Sequence, residues 1–231
     1  MKYKNVAKAV FVERLNRFVA TVKINGKTET VHVKNTGRCK ELLVPGCRVY
    51  LERSANQNRR TAFDLIAVEK EREGNPPLLI NMDSQVPNAA AEEWLKNGNL
   101  FPESAKIKRE AKFGNSRFDF YIEDGEKKAF LEVKGVTLES GGIARFPDAP
   151  TERGIKHINE LVSAKEQGFE CYILFVIQMK EIHLFEPNYE THREFGEALI
   201  RAQKSGVNIL AVDCAVTPDS ITLENPVEIK L

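Results

Sequence analysis

The seven residues Cys171-Tyr172-Ile173-Leu174-Phe175-Val176-Ile177 form an unbroken apolar run. A strand with one face in water alternates polar and apolar residues, so a run without polar positions needs cover on both faces. Its length and its β-branched and aromatic content fit a central strand rather than a helix. The chain must therefore supply layers for both faces of a sheet, and the surrounding sequence offers them. Residues 151–167 carry the period of an amphipathic helix, and 191–204 carry another. Residues 88–96 form an Ala/Glu-rich helix containing the sole tryptophan, Trp94. Residues 181–185 and 207–212 read as further strands, and 105–122 and 128–138 as extended segments. Strands alternating with helices around an apolar centre predict a layered α/β (α+β) domain.

The first 80 residues follow a different pattern. Residues 6–22 are β-branched and apolar, interrupted around Leu15-Asn16-Arg17, and Asn25-Gly26 marks a hairpin turn before 28–33. Residues 49–53 and 62–68 add two short strands, while 35–46 reads as a loop with a short helical turn and a Pro-Gly stop. Around five short strands in this length predict a small barrel of the OB type. The charged, then Gly/Pro-rich stretch from Glu69 to Pro77 reads as a break. The expected division is an OB-like, DNA-binding domain over 1–80 and an α/β domain over 81–231.

Charge supports that division. Residues 1–80 hold 16 Lys and Arg against 8 Asp and Glu, whereas the remainder holds 18 against 25. A positive half within a chain of net charge +1 is a candidate polyanion surface; a solvated basic face is the plainer alternative. No apolar run reaches the roughly 18 residues of a membrane span, and the N-terminus lacks the apolar centre of a signal peptide. A cytoplasmic protein without membrane contact is expected. Cys39, Cys47, Cys171 and Cys214 are scattered, which fits packed free thiols rather than a zinc site.

The segment 118–134 carries the chemistry. Asp124-Gly125 lies between two strand-like runs and signals a hairpin. A two-residue turn at that pair sets Asp119 opposite Phe130. Alternation then places Phe118, Phe120, Ile122, Ala129, Leu131 and Val133 on one face, and Asp119, Tyr121, Glu132 and Lys134 on the other. Two carboxylates on adjacent strands suit a hard cation such as Mg²⁺, which takes oxygen ligands and keeps waters. A lysine two residues beyond Glu132 can act on an attacking water and offset charge on a phosphate. A charged sheet face with a Glu–Lys pair is the plainer alternative, since Glu-x-Lys alone is a tiny motif.

Three other segments invite phosphate contact. On the helix over 151–167, Ile155, Ile158, Leu161 and Val162 form the apolar stripe, leaving Arg153, Lys156, His157 and Glu160 on the remaining surface. Arg153 and His157 are i, i+4 neighbours, able to meet a phosphate; a capping or solvated His157 is equally compatible. Asn35-Thr36-Gly37-Arg38 suits backbone and guanidinium contacts to phosphate, or is a capping loop. Residues 141–150 read as a flexible loop, either a gate over the site or a connection. Phe11, Phe18, Tyr50 and Phe63 could stack on bases if exposed, though such residues are more often core.

Longer strings add a family resemblance. Residues 32–46, with N-T-G-R and E-L-L-x-P-G, the string Ser116 to Phe120, the string Leu131 to Leu138, and the run Ala144 to His157 continuing to Glu160-Leu161 resemble the bacterial and archaeal sugar fermentation stimulation protein A family. The resemblance spans essentially the whole chain. It implies an OB-like domain followed by a restriction-endonuclease-like domain of the PD-(D/E)-x-K fold, with Asp119, Glu132 and Lys134 in the motif positions and Arg153 and His157 on the following helix. It also implies DNA as partner, and the family name implies a link to sugar utilisation genes such as those for maltose.

Two functions follow as expectations. The first is a deoxyribonuclease using Mg²⁺ or Mn²⁺, with Asp119 and Glu132 as metal ligands, Lys134 acting on the water, and Asn35, Thr36, Arg38, Arg153, Lys156 and His157 contacting DNA. The second is a DNA-binding regulator that keeps the nuclease scaffold without its catalysis. A sugar- or nucleotide-binding module is a weaker third, as no Gly-rich phosphate fingerprint supports it. Many nucleases of this fold pair to cut both strands, which leaves a homodimer open.

Overall fold

The computed structural model of the chain describes residues 1–35, 37, 39–56 and 58–231. Its N-terminal part is a barrel of strands β1 (Val6–Asn16), β2 (Val19–Ile24), β3 (Lys27–Val33), β4 (Arg48–Arg53) and β5 (Phe63–Arg72). They run in the order β3-β2-β1-β4-β5, and a parallel pairing of β3 with β5 closes the ring. Asn25 and Gly26 have φ of 48° and 77° in the β2–β3 turn, the two positive values that a type I′ turn requires. The barrel interior is aliphatic, with Val22, Val31, Val33, Val49, Leu51 and Leu65 fully buried.

The charged, Gly/Pro-rich stretch over 69–77 is not a linker. Glu69 to Arg72 continue β5, and β6 (Asn75–Asn81) folds back on them around Gly74, with Arg72 paired to Asn75. Glycine, proline and charge mark a hairpin tip as readily as a linker, and the sequence offers no partner strand to separate the two.

The C-terminal part is built on a six-stranded sheet in the order β15-β14-β12-β9-β8-β7. Strands β7 (Lys106–Phe113), β8 (Ser116–Asp124) and β9 (Lys127–Val136) form an antiparallel meander. The apolar run is β12 (Glu170–Ile177), central and parallel to both β9 and β14 (Asn208–Thr217). Strand β15 (Ser220–Pro226), unseen in the sequence, completes the far edge. Helix α1 (Val86–Lys96) covers one face through Val86, Ala90, Ala91 and Leu95. Helices α2 (Glu152–Glu166) and α3 (Tyr189–Lys204) cover the other. Alternate residues of β12 divide accordingly: Leu174 and Val176 meet the α1 side, and Ile173, Phe175 and Ile177 meet α2 and α3. Each such buried side chain contributes on the order of 1.5–3 kcal/mol.

Residues 141–150, expected as a flexible loop, hold a tight turn and a strand in their first six positions. Strands β10 (Leu138–Ser140) and β11 (Ile143–Phe146) form a hairpin over Gly141 and Gly142, both at positive φ. Strand β11 also pairs in parallel with β13 (Leu184–Pro187), which in turn pairs with β16 (Glu228–Ile229). Two adjacent glycines read as flexibility in sequence, but they are also what a two-residue turn with both φ positive needs.

Candidate active site

The β8–β9 hairpin holds the expected acidic pair in a register different from the expected one. Asp124 pairs with Lys127 and Phe120 with Leu131, so the two-residue turn is Gly125-Glu126. Gly125, at φ 60°, occupies its first central position, the place where a type II′ turn takes glycine. The slip is two residues, which preserves which face each side chain takes. It also brings Asp119 level with Glu132 rather than Phe130.

The ladder ends at the Phe120–Leu131 pair, and Asp119 fills the opening beyond it. Its Oδ2 accepts the Val133 N–H at 2.7 Å, serving as the acceptor that a continued strand would have provided. Its Oδ1 accepts from Asn88 Nδ2 at 2.7 Å, from the first turn of α1. The strand turns over at this point. Phe120 packs on the α1 side, whereas Phe118 joins the opposite cluster with Phe130 and lies edge-on to the His157 ring. The shared face expected for Phe118 and Phe120 is thus broken, because alternation holds only while the ladder does.

Glu132 is 4% exposed and anchors the rest. Its Oε1 accepts from Lys134 Nζ at 2.6 Å and faces His157 Nδ1 at 2.5 Å. Its Oε2 is buried with no hydrogen-bond partner among the described residues. His157 is itself buried, and its Nε2 lies 3.4 Å from Arg153 Nε. Arginine can only donate, so Nε2 accepts and the proton on Nδ1 donates to Glu132. The sequence leaves open a solvated or capping His157; the fold makes it a support for Glu132. Helix α2 delivers it from an N-terminus capped by Thr151, whose Oγ1 accepts the Gly154 N–H.

The two carboxyls are pushed apart in acidity. Burial, then the neighbouring charge of Glu132, raise Asp119 to about 6 against its hydrogen bonds and the charge of Lys134. Burial also pushes Glu132 upward, but the hydrogen bond from His157 and the charge and hydrogen bond of Lys134 outweigh it and hold Glu132 below the usual carboxylate range. Opposed shifts in adjacent titrating groups are a common mark of functional sites. Among the described residues, no three His, Cys, Asp or Glu side chains already converge as a ligand set. Two carboxylates plus waters are nonetheless the set that Mg²⁺ usually takes.

A cleft of about 400 Å³ opens one residue beyond Lys134, between the barrel and the α/β domain. Asn35, Gly37 and Arg17 form its barrel wall, and Gly135, Asp148 and Gln178 are on the opposite side. Asn35 is buried and structural on its inner side, donating to the Met82 carbonyl and accepting the Gly37 N–H. Gln178 is 1% exposed and donates to the Asn81 and Asp83 carbonyls. A side-chain carbon on Gly135 would lie 2.6 Å from Gln178 Oε1 and 2.7 Å from Pro87, which is why glycine sits there.

The structure therefore gathers Asp119, Glu132, Lys134, His157 and Arg153. Lys156 is apart from them, exposed and directed to the Asn115 carbonyl and Glu160. Thr36 and Arg38 lie outside the described residues. Of the four aromatics considered for stacking, Phe18 is 51% exposed while Phe11 and Tyr50 are core and Phe63 is half-buried. Asn88, Pro87 and Gln178 escape sequence reasoning; each reaches the site from a distant segment, and an isolated Asn or Gln carries no sequence signal.

A closed OB barrel joined to a sheet with helices on both faces, carrying Asp119 and a Glu132-x-Lys134 pair, defines an OB plus restriction-endonuclease-like protein of the PD-(D/E)-x-K fold. Residues 85–220 match the family described as sugar fermentation stimulation protein RE domain, and residues 12–75 match the SfsA N-terminal OB domain. The chain belongs to the sugar fermentation stimulation protein (SfsA) family. It is 54% identical over 231 residues to a sugar fermentation stimulation protein homolog of Ruminiclostridium cellulolyticum, covering 100% of both chains. A homolog from Desulfitobacterium hafniense (strain DSM 10664 / DCB-2) is 56% identical, with 100% of this chain and 99% of the other covered. The structure of Pyrococcus furiosus SfsA in complex with Ca²⁺ matches at a TM-score of 0.87 and 28% identity, over 100% of this chain and 98% of that one. No helix among the described residues is long and apolar enough to cross a membrane.

Proposed function

We propose that this chain binds DNA and hydrolyses phosphodiester bonds at Asp119, Glu132 and Lys134 with a divalent cation, Mg²⁺ or Mn²⁺. The observation that carries the reading is the Glu132 carboxylate: one oxygen is held by Lys134 and His157, and the other is buried with no hydrogen-bond partner among the described residues. A lone pair without a hydrogen bond is costly to bury, and a cation there removes the cost. The Ca²⁺ in the description of the Pyrococcus furiosus relative supports a divalent ion. When bound, such an ion polarises a phosphoryl oxygen and acidifies a coordinated water. Lys134 orients the attacking water and offsets charge developing on the phosphate. His157 holds Glu132 in place, and Arg153, exposed behind it, steadies a phosphate oxygen.

In this reading the basic barrel, residues 1–80, holds the DNA, with Asn35, Thr36 and Arg38 as contacts, while residues 81–231 carry the chemistry and Lys156 adds a further contact. A second reading, a non-catalytic DNA-binding regulator of sugar utilisation genes, is favoured by one observation: both Asp119 oxygens already accept hydrogen bonds from the protein. Supercoiled plasmid and a labelled single strand incubated with Mg²⁺, Mn²⁺ or EDTA separate the two. Metal-dependent cleavage that drops at least about a hundredfold in Glu132→Ala and Lys134→Ala, with binding kept, supports the nuclease. Binding in EDTA without cleavage by the wild type in any metal supports the regulator.

A further inference from the structure

The edge strand β7 carries an array of charge that runs against the balance of its domain. Residues 81–231 are net acidic, yet Lys106, Lys108 and Lys112 are all exposed on this strand. Neighbouring arginines are neutralised: Arg109 pairs with Glu92, and Arg117 pairs with Glu110. None of the three lysines has an ion-pair or hydrogen-bond partner among the described residues. They border a groove of about 560 Å³ whose floor includes Phe113, Tyr121 and Phe169. These rings are only part-buried, because α2 does not reach the sheet edge.

The groove also has a fixed relation to the candidate active site. Phe130, at its base, is two residues before Glu132 on the same strand and so shares its face of the sheet. Phe130 contacts Phe118, and Phe118 contacts the His157 ring. A strand two residues long spans about 7 Å, close to the spacing of neighbouring phosphates. Glu123, the partner of Lys106 across the β7–β8 ladder, also lines the groove, so three lysines stand against one carboxylate. A cationic excess beside an aromatic floor is what sequence-tolerant single-strand grooves are built from.

We propose that the β7 groove binds a single-stranded nucleic-acid segment flanking the scissile phosphate, its backbone on Lys106, Lys108 and Lys112 and its bases against the aromatic floor. The proposal rests on the DNA-binding reading above and adds a contact surface outside the basic barrel. Lysines on an edge strand can also serve to block edge-to-edge pairing, and the test separates that role.

The test is fluorescence anisotropy with a labelled single-stranded 30-mer in EDTA between 50 and 200 mM NaCl. The full chain is compared with a Lys106→Glu/Lys108→Glu/Lys112→Glu variant and with a control carrying the same reversal at Lys96, Lys204 and Lys230. The groove variant should bind at least about tenfold more weakly than the control. Its slope of log Kd against log salt should be smaller by about 2, at roughly 0.7 for each phosphate that a lysine no longer neutralises. Melting curves matching the parent exclude unfolding, as the altered residues are exposed. Equal affinity and slope in groove variant and control overturn the proposal, whether or not the variant self-associates. No binding of the single strand by the parent also overturns the proposal; a labelled duplex 30-mer in the same buffers then decides the DNA-binding reading, which stands if the duplex binds and fails if it does not.

Discussion

Asp119 shows at the scale of one residue how a site can be unfavourable to the fold that houses it. Its folded value of about 6 lies above the ordinary carboxylate value of 3.8, so the folded state holds the proton more tightly than the unfolded state. Stability from this group is therefore present below pH 4 and is lost as pH rises toward 6. Above pH 6 the ionised side chain opposes folding by roughly 3 kcal/mol. Asp119→Asn should accordingly raise the melting temperature of the metal-free protein at pH 8 by several degrees, with little change at pH 4, and, on the proposed function, should abolish metal-dependent cleavage. Thermal melts in EDTA at the two pH values check this. An Asn variant less stable at pH 8 than the wild type would show that the hydrogen bonds of Asp119, rather than its charge, govern its contribution.

At the scale of elements, the barrel closes on a titratable pair with the opposite sign. His32 on β3 faces Asp64 on β5 at 2.9 Å, within the parallel β3–β5 pairing that closes the barrel. Arg59 reaches the same carboxylate with two hydrogen bonds, and Lys34 lies 3.5 Å away. Burial pushes Asp64 up, but the bonds from Arg59 and His32 and the charge of Lys34 reverse this and hold it at about 2. Its contribution is present above pH 4 and lost as pH falls toward 2, amounting to about 2 kcal/mol. Denaturant titrations at pH 6 and pH 2.5 should show Asp64→Asn losing less stability on acidification than the wild type by that order. Equal losses would place the acid sensitivity elsewhere.

These two carboxylates also mark what can be read from the chain. Elements with their own period are legible: the barrel strands, α2 and the β12 run are each fixed by local alternation or by a helical stripe. The β8–β9 hairpin is legible in face from Phe120 to Leu131 but not in register, because sliding the turn from Asp124-Gly125 to Gly125-Glu126 changes no side chain's side of the sheet, and the end of the ladder at Asp119 is not legible at all. Contacts made by non-local closure are not legible. Asn88 on Asp119, Lys34 on Asp64, and Gln178 under Gly135 join segments 31, 30 and 43 positions apart, and each is a polar residue with no period to betray its partner.

For the whole molecule, the question is whether barrel and α/β domain unfold together. One cluster of buried side chains runs from Phe11, Val31 and Leu65 of the barrel through Ile80 and Met82 to Phe175, Phe185 and Phe195 of the second domain. An ion pair spans the same junction: Lys70 Nζ on β5 lies 2.5 Å from Glu139 Oε2 on β10 and also donates to the Glu139 carbonyl. Glu139 is 6% exposed, and burial pushes its carboxyl up while Lys70 and the Gly142 N–H draw it below the ordinary range. Breaking such a pair from one side leaves a charge buried without compensation, at roughly 3–5 kcal/mol. Lys70→Ala should therefore destabilise the whole chain, whereas Lys70→Met with Glu139→Gln should recover most of the loss, since neither residue is then charged. Calorimetry checks both. A shared core predicts one transition in the wild type, and its splitting in Lys70→Ala would show that the ion pair rather than the apolar cluster couples the domains. Because the cleft that begins at Gly135 has one wall on each domain, the same uncoupling would, on the proposed function, weaken DNA binding without touching Asp119, Glu132 or Lys134.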